Sequence, residues 1–210
     1  MITFDAASHG DGLTGSTITW SHTVGSGSNR ILIAGVTSNN ADLQTGATYN
    51  GVAMTLGKKS SFTGPTMYLF YLLNPDSGAH DIATTGSGSE VLRAASASYA
   101  GVKQSGQPDA SDDQAETSTS ITSSLTQVVN NAWQVGLAHN GAVGTLSGAA
   151  GLTFRDGANT TVTSIGDSNA TTGAGTRTLT WNNTSSTNLW ALQFSLADIN
   201  QSVSTFLSLL

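Results

Sequence analysis

Cysteine is absent from the 210 residues of this chain, and charged side chains make up only 10% of it. Without thiols the chain can form neither a disulfide framework nor a thiolate metal site. The charged fraction lies well below the roughly 25% that is usual for soluble domains. Ser, Thr, Gly, Asn and Gln therefore supply most of the polar surface, which fits repeated contact with neighbouring subunits.

Basic residues are also few, since 7 Lys and Arg stand against 13 Asp and Glu and give a formal net charge of -6. Nucleic-acid affinity depends on clustered Lys and Arg, so this scattered set predicts no nucleic-acid partner. No apolar run is long enough to span a membrane, and the start, MITFDAASHGDG, has no pattern of a secretory signal. We expect a protein that folds in a host cytoplasm. The composition, in contrast, is typical of a protein exposed outside the cell. Virion proteins show both features, because they assemble in the cytoplasm and leave by lysis. A secreted chain whose signal peptide had been removed would show both features as well.

The clearest structural pattern lies in residues 17–38. Apolar and hydroxyl-bearing residues alternate over residues 17–24, which is typical of a half-buried β-strand. The sequence GSGSN then indicates a turn, and residues 30–36 are apolar on both alternating faces. We predict that the two strands pair as a hairpin. The second is predicted to be a central strand covered on both sides, or one at a subunit contact.

Short apolar segments continue along the chain with turns between them and no helical period. Asn50-Gly51 is the strongest hairpin signal among these turns. This succession predicts an all-β chain, folded as one antiparallel β-sandwich over residues 1–196.

The C-terminal residues 197–210 follow a different pattern, with apolar residues at the spacing of one helical face. Asp198 is suited to be the N-cap of a short helix. A helix of this length needs a surface to pack against. It either folds over its own sandwich or docks beside a neighbouring subunit, and both alternatives stay open. The docking residues would be Ile199, Val203, Phe206, Leu207 and Leu210.

Several phrases of the sequence occur in a recognisable order: TFDAAS, TWSHTVGSGSNRILIAGVTS, YNGVAMTL, YLLNPDSGAHDI, SYAGVKQSGQPD and NLWALQFSL. Together they resemble a recurring module of bacterial and tailed-phage proteins, over about residues 2–196. That module is a jelly-roll-like β-sandwich, found in phage virion proteins and in surface proteins that recognise glycans. The resemblance implies a fold and no single activity, and the family offers no catalytic residues to carry over.

From the resemblance and the composition we expect a non-enzymatic structural protein of a tailed-phage particle. Its expected place is the outer capsid surface of the virion, as a decoration (cement) protein that binds the major capsid protein or other virion subunits. A homo-oligomer is expected, with a trimer favoured because it matches the local threefold axes of a capsid. The alternative is a tail-associated or surface adhesin that binds host carbohydrate.

The motifs that carry catalysis are missing from the sequence. There is no G-x-S-x-G nucleophile elbow, no phosphate-binding glycine motif, and neither of the two glutamates has an evident partner for glycoside hydrolysis. We predict that the chain is not an enzyme and has no cofactor. The 4 histidines lack metal-ligand spacing, so we predict no metal site. His22 and His139 lie on apolar strand registers and are expected to be buried and hydrogen-bonded.

Two polar groups remain as candidate sites. The longest polar interval, residues 101–119, holds Asp109, Asp112, Asp113 and Glu116. Calcium accepts several carboxylates from one loop, but the interval lacks the EF-hand order, so we favour a solvated loop.

Tryptophan is the second candidate, because an exposed indole can stack on sugar. Trp20, Trp133 and Trp190 lie on apolar registers and are expected in the core. Trp181 stands at a predicted strand end beside Asn182 and Asn183. Core packing is favoured for Trp181 as well, but these three residues are the best candidates for a glycan contact.

Overall fold

The computed structural model describes residues 1–39, 42, 44–149, 151–158 and 162–200. Its described residues form fifteen β-strands and contain no helix, which confirms the all-β prediction. Strand pairing is antiparallel in every pair. The strands are β1 (Thr3–Gly15), β2 (Thr19–Val24), β3 (Ile31–Ser38), β4 (Gln44–Tyr49), β5 (Val52–Ala53), β6 (Thr55–Lys59), β7 (Thr66–Leu73), β8 (Gly78–Gly86), β9 (Glu90–Ala100), β10 (Ala110–Gln127), β11 (Ala132–His139), β12 (Leu146–Gly148), β13 (Thr153–Ala158), β14 (Thr163–Asp167) and β15 (Gly175–Ala197).

These strands form three sheets. The central sheet has the order β1-β9-β3-β7-β6, and the small sheet has the order β2-β8-β4-β5. The third sheet, which we call the ribbon sheet, has the order β10-β15-β11-β14-β13, with β12 paired to β15. The architecture is compatible with a β-sandwich.

Two apolar cores lie on the two faces of the central sheet. On one face Ile31 and Ile33 pack against ribbon-sheet residues such as Val135 and Leu137. On the other face Leu32 and its neighbours pack against the small sheet. Every residue of β3 is buried, so the prediction of a central strand covered on both sides is confirmed. The same double burial explains why both alternating faces of this strand are apolar.

The predicted hairpin between the two strands of residues 17–38 is wrong. β2 pairs with β8 in the small sheet, whereas β3 pairs with β7 and β9 in the central sheet. Trp20 and Val24 of β2 pack onto β3 face to face across the second core. The period-2 pattern shows that each of the two strands has an apolar side. It does not show whether the strands pair edge to edge in one sheet or stack face to face in two layers. The predicted Asn50-Gly51 turn is confirmed, since Tyr49 pairs with Val52 around it and both turn residues have positive φ.

The longest strands, β10 and β15, form a two-stranded ribbon that folds back on its own sheet. Their register changes between Ser118 and Ser120, where residues 183–186 of β15 have no partner in β10. Beyond this bend, residues 120–127 pair with residues 175–182, and we call this part the ribbon tip. The tip covers the outer face of the ribbon sheet, and a third apolar core lies between them. Ser123 Oγ donates a buried 2.7 Å hydrogen bond to Gln193 Oε1, which ties the tip to the sheet beneath it.

The C-terminal prediction falls mostly outside the described residues. Val203, Phe206, Leu207 and Leu210 are not described, and the helix stays a prediction. β15 includes Ala197, one residue past the predicted end of the sandwich. Asp198 forms an isolated β-bridge with Val102. Its carboxylate accepts hydrogen bonds from the backbone N–H of Ile2 and of Asn200.

Candidate functional site

Trp181 is fully buried, which agrees with the favoured core packing and contradicts the alternative of an exposed glycan contact. Its indole lies in the ribbon tip over two glycines, Gly136 of β11 and Gly166 of β14. A Cβ atom at Gly166 would lie 2.9 Å from Trp181 Cη2. Phe154 adds an edge-to-face contact with ring centroids 6.5 Å apart. Two glycines on neighbouring strands leave the space that accommodates the large ring, and they are distant from Trp181 in sequence.

The two asparagines beside Trp181 have different environments. Asn182 is exposed, whereas the side chain of Asn183 is buried and bonded within the protein. Asn183 Oδ1 accepts from Asn140 Nδ2 at 3.0 Å, and its Nδ2 donates to the carbonyl oxygens of Val143 and Ser185. Asn183 therefore fixes a loop and is not available to a glycan, which contradicts its place among the candidate glycan contacts. The three residues do not form a common binding surface.

Trp190 is the partly exposed member of the four tryptophans, since Trp20 and Trp133 are only 6% exposed. It lines a shallow groove of about 310 Å³ together with Thr63, Ala115, Glu116, Thr117, Asn188 and Leu189. Its ring lies 5.7 Å from the imidazole of His139, between centroids and at an angle of 32°. The expectation of full core packing is therefore only partly met, because Trp190 packs against the first core at the level of His139, where the neighbouring strand β11 ends.

Glycines hold the Trp190 ring from the side. A Cβ atom at Gly64 would lie 3.1 Å from Nε1 and Cζ2 of the indole, and one at Gly141 would lie 3.4 Å from Cζ3. Both glycines have positive φ, a backbone conformation that other residues seldom adopt. The loops before β7 and after β11 thus approach the ring closely and leave it little freedom.

A polar pair lies beside the indole on the same face of the ribbon sheet. Thr117 and Asn188 are directly opposite each other in the ladder of β10 and β15. Thr117 Oγ1 donates to Asn188 Oδ1 at 2.5 Å, which orients the amide and leaves its Nδ2 donors for other partners. An apolar ring next to an oriented amide and a hydroxyl is suited to non-covalent recognition of a sugar-like ligand. No signal in the sequence distinguishes Trp190 from the buried tryptophans.

The predicted acidic loop is largely a strand, and the loop prediction is wrong. Asp112, Asp113 and Glu116 lie within β10, and alternate residues of a strand point to opposite faces. Asp113 binds Lys58 Nζ at 2.7 Å and Ser61 on the central-sheet side. Asp112 instead accepts from the N–H of Ser124 at 3.3 Å. Pairing with β15 overrides the low strand propensity of this polar segment.

The carboxylates of Asp109, Asp112 and Asp113 are thus engaged in separate contacts. Asp109 Oδ2 accepts from the N–H groups of Val128 and Val129 at 2.9 Å and 3.3 Å. Among the residues that the structure describes, no three or more His, Asp or Glu side chains are grouped as metal ligands would be.

The prediction of buried, hydrogen-bonded imidazoles at His22 and His139 is confirmed. His22 contacts three serine hydroxyls, and burial lowers its pKa to about 4. Burial and the nearby charge of Arg93 lower the pKa of His139 to about 3. His139 Nδ1 contacts Thr163 Oγ1 at 2.8 Å, and its buried Nε2 has no hydrogen-bond partner among the residues that the structure describes.

The outer face of the ribbon tip presents a regular ladder of hydroxyl groups. Successive rows are the pairs Thr122 and Thr180, Ser124 and Thr178, and Thr126 and Thr176. The Oγ1 atoms of Thr122 and Thr180 are 2.9 Å apart, and all but Thr180 of these six side chains are exposed. We call these six residues the hydroxyl ladder. It lies on a rigid base, because the opposite face of the same strands carries Ile121, Leu179 and Trp181 in the third core.

Of the predicted docking residues only Ile199 is described. Its side chain is 39% exposed, and its N–H donates to the carbonyl oxygen of Gly101 at 3.0 Å. No helix in the described ranges is long and apolar enough to cross a membrane. No protein-family model, curated protein or solved structure matches this chain.

Proposed function

We propose that this chain is a non-enzymatic structural protein of a tailed-phage particle. In this proposal it is a decoration protein of the outer capsid surface, and its sandwich is a variant of the jelly-roll module that the sequence resembles. The observation that carries the proposal is the hydroxyl ladder, an exposed, regular and uncharged surface on a rigid base. Such a surface can form many hydrogen bonds to a repeating partner without paired charges.

The proposed mechanism is adhesion through many modest contacts. A net hydrogen bond contributes only about 0.5–1.5 kcal/mol, so strength would come from the number of rows and from repetition over the capsid. Hydrogen bonds of this kind are less sensitive to salt than exposed ion pairs are. The major capsid protein is the proposed partner. A trimer is the proposed oligomer, with the C-terminal apolar residues as its docking element.

Counting the copies of this chain in purified particles of the phage that encodes it tests the proposed location. We expect copies on the order of hundreds, measured by quantitative mass spectrometry against the major capsid protein, because a decoration protein repeats with the capsid symmetry. A few copies per particle would instead indicate a tail position. If the chain is absent from the particles, both the capsid location and the tail location are contradicted.

The Trp190 groove favours a second candidate function, adhesion to carbohydrate. Because Trp190 is the partly exposed tryptophan, an uncharged sugar that stacks on it should change the intrinsic fluorescence of the protein. We expect a saturable change with a panel of neutral mono- and oligosaccharides, which Trp190→Phe should weaken and Thr117→Val should weaken by releasing the Asn188 amide. Trp20→Phe is the matched control, since that indole is buried. An unchanged fluorescence over the whole panel would contradict this second candidate.

A further inference from the structure

The outer edge of β10 in the ribbon tip has no strand beside it among the described residues, because β10 pairs with β15 alone. Two observations show which backbone groups point to this edge. Ser124 donates its N–H to Asp112, away from β15. Thr180, the partner of Thr122, uses its carbonyl oxygen to accept from Ala149 N–H on the far side of β15. Since backbone groups alternate along a strand, the even-numbered residues 120–128 direct their N–H groups to the open edge.

Most of these N–H groups donate to a side chain. The acceptor belongs either to β10 itself or to Asp109, which directly precedes β10. Asp112 accepts from Ser124, and Asp109 accepts from Val128. Ser118 Oγ accepts from the N–H of Ser120 at 3.3 Å. Within the described part of the chain, only the donors of Thr122 and Thr126 have no side-chain acceptor of this kind. The sequence placed the two aspartates in an acidic interval for which a solvated loop was favoured over a calcium site, and their geometry is that of caps on an open sheet edge.

The edge has few other features that oppose pairing with another strand. Natural edge strands are protected by charged side chains, proline or bulges. Residues 117–129 contain no charged residue and no proline, and the strand is regular from Ser120 to Gln127. Without its carboxylate caps this segment would be a long, neutral edge whose backbone donors are open to solvent or to another strand.

We infer that the β10 edge of the ribbon tip is a latent interface for a second copy of this chain, and that Asp109 and Asp112 keep it closed. Two identical antiparallel edges can pair about a two-fold axis, since each presents the same alternation of donors and acceptors. The net charge of -6 opposes contact between copies elsewhere, but residues 117–129 are neutral and carry no such repulsion. The inference does not depend on the proposed capsid role, because it concerns the free protein in solution.

Light scattering after size-exclusion chromatography of the full chain tests the inference. We expect the Asp109→Ala/Asp112→Ala variant to reach twice the wild-type mass as its concentration is raised. The matched control is Asp81→Ala/Glu116→Ala, which removes the same charge from two exposed side chains and should keep the wild-type mass.

Adding Thr122→Pro to the aspartate variant separates edge pairing from other association. Proline removes one of the edge donors and is tolerated on an edge strand, so it should restore the wild-type mass. An aspartate variant with unchanged mass at every concentration, or association that persists with Thr122→Pro, would overturn the inference. If circular dichroism shows that the double variant has lost its strands, Asp112→Ala alone leaves the Asp109 contacts in place. It should still give a concentration-dependent rise in mass, and no rise would overturn the inference.

Discussion

His22 lies in a chain of hydrogen bonds between the central and small sheets, and the positions of its protons can be deduced. Ser98 Oγ donates to Asp5 Oδ2 at 2.7 Å, so its oxygen accepts from His22 Nε2–H at 3.0 Å. Nδ1 is therefore the acceptor, and it faces the hydroxyls of Ser8 and Ser96 at 2.9 Å and 3.0 Å. The imidazole is neutral and has both nitrogens paired, as a buried polar side chain requires.

This burial predicts an acid-sensitive stability. The pKa of His22 is lowered from 6.5 to about 4 by burial, so between these values the unfolded chain binds more protons than the folded one. The free energy of unfolding should fall as the pH drops from 7 to 4.5, by about 2 to 3 kcal/mol from His22 alone. Urea unfolding of the wild type and of His22→Gln at both pH values measures this difference.

The same comparison with His80→Gln is the control, because that side chain is partly exposed. The His22→Gln variant should lose less stability at low pH than the wild type does. At pH 7 it should be less stable than the wild type, because the substitution disturbs the hydrogen bonds around this side chain. An identical pH dependence in the wild type and in His22→Gln would show that His22 does not carry the effect. His139, with a pKa lowered to about 3, contributes in the same direction in both proteins and cancels.

At the scale of elements, the sequence patterns predicted an all-β chain and the apolar faces of several of its strands. They identified β3 as a doubly buried strand and the Asn50-Gly51 turn. They did not predict which strands pair, because the alternation in β2 is the same whether its neighbour lies beside it or across a core. The patterns also did not identify residues 110–119 as part of a strand. Their partner is β15, about eighty residues further on, and polar alternation gives no core-facing stripe.

The environments of the two tryptophans near the candidate site could not be predicted from the sequence either. Trp181 and Trp190 are both on β15, yet the first is fully buried and the second is partly exposed. The difference arises from Gly136 and Gly166, which make room for Trp181, and from the end of the sheet, which exposes Trp190. The residues next to each tryptophan in the sequence do not indicate this difference in burial. The fold-back of the ribbon tip places these residues together, and a long-range bend of this kind has no local signature.

For the whole molecule, layered packing separates two outer surfaces with different surroundings. One is the exposed face of β2 in the small sheet, and the other is the hydroxyl ladder on the ribbon tip. Both are polar and bear hydroxyl groups, but the ladder has two paired columns, and one of its rows is joined by a direct hydrogen bond. If adhesion is the function of this protein, the ladder is where we expect the capsid to bind.

Binding of the purified protein to capsids that lack it is therefore the most direct measurement of the central claim. The variant Thr122→Glu/Thr178→Glu introduces two carboxylates into the ladder, and burying them in a contact is unfavourable. We predict that its affinity in a cosedimentation assay falls at least tenfold. The control Thr19→Glu/Thr23→Glu adds the same charge on β2 and should bind as the wild type does. Equal binding by all three proteins would contradict the ladder as the contact surface, and no binding by the wild type would contradict the capsid role itself.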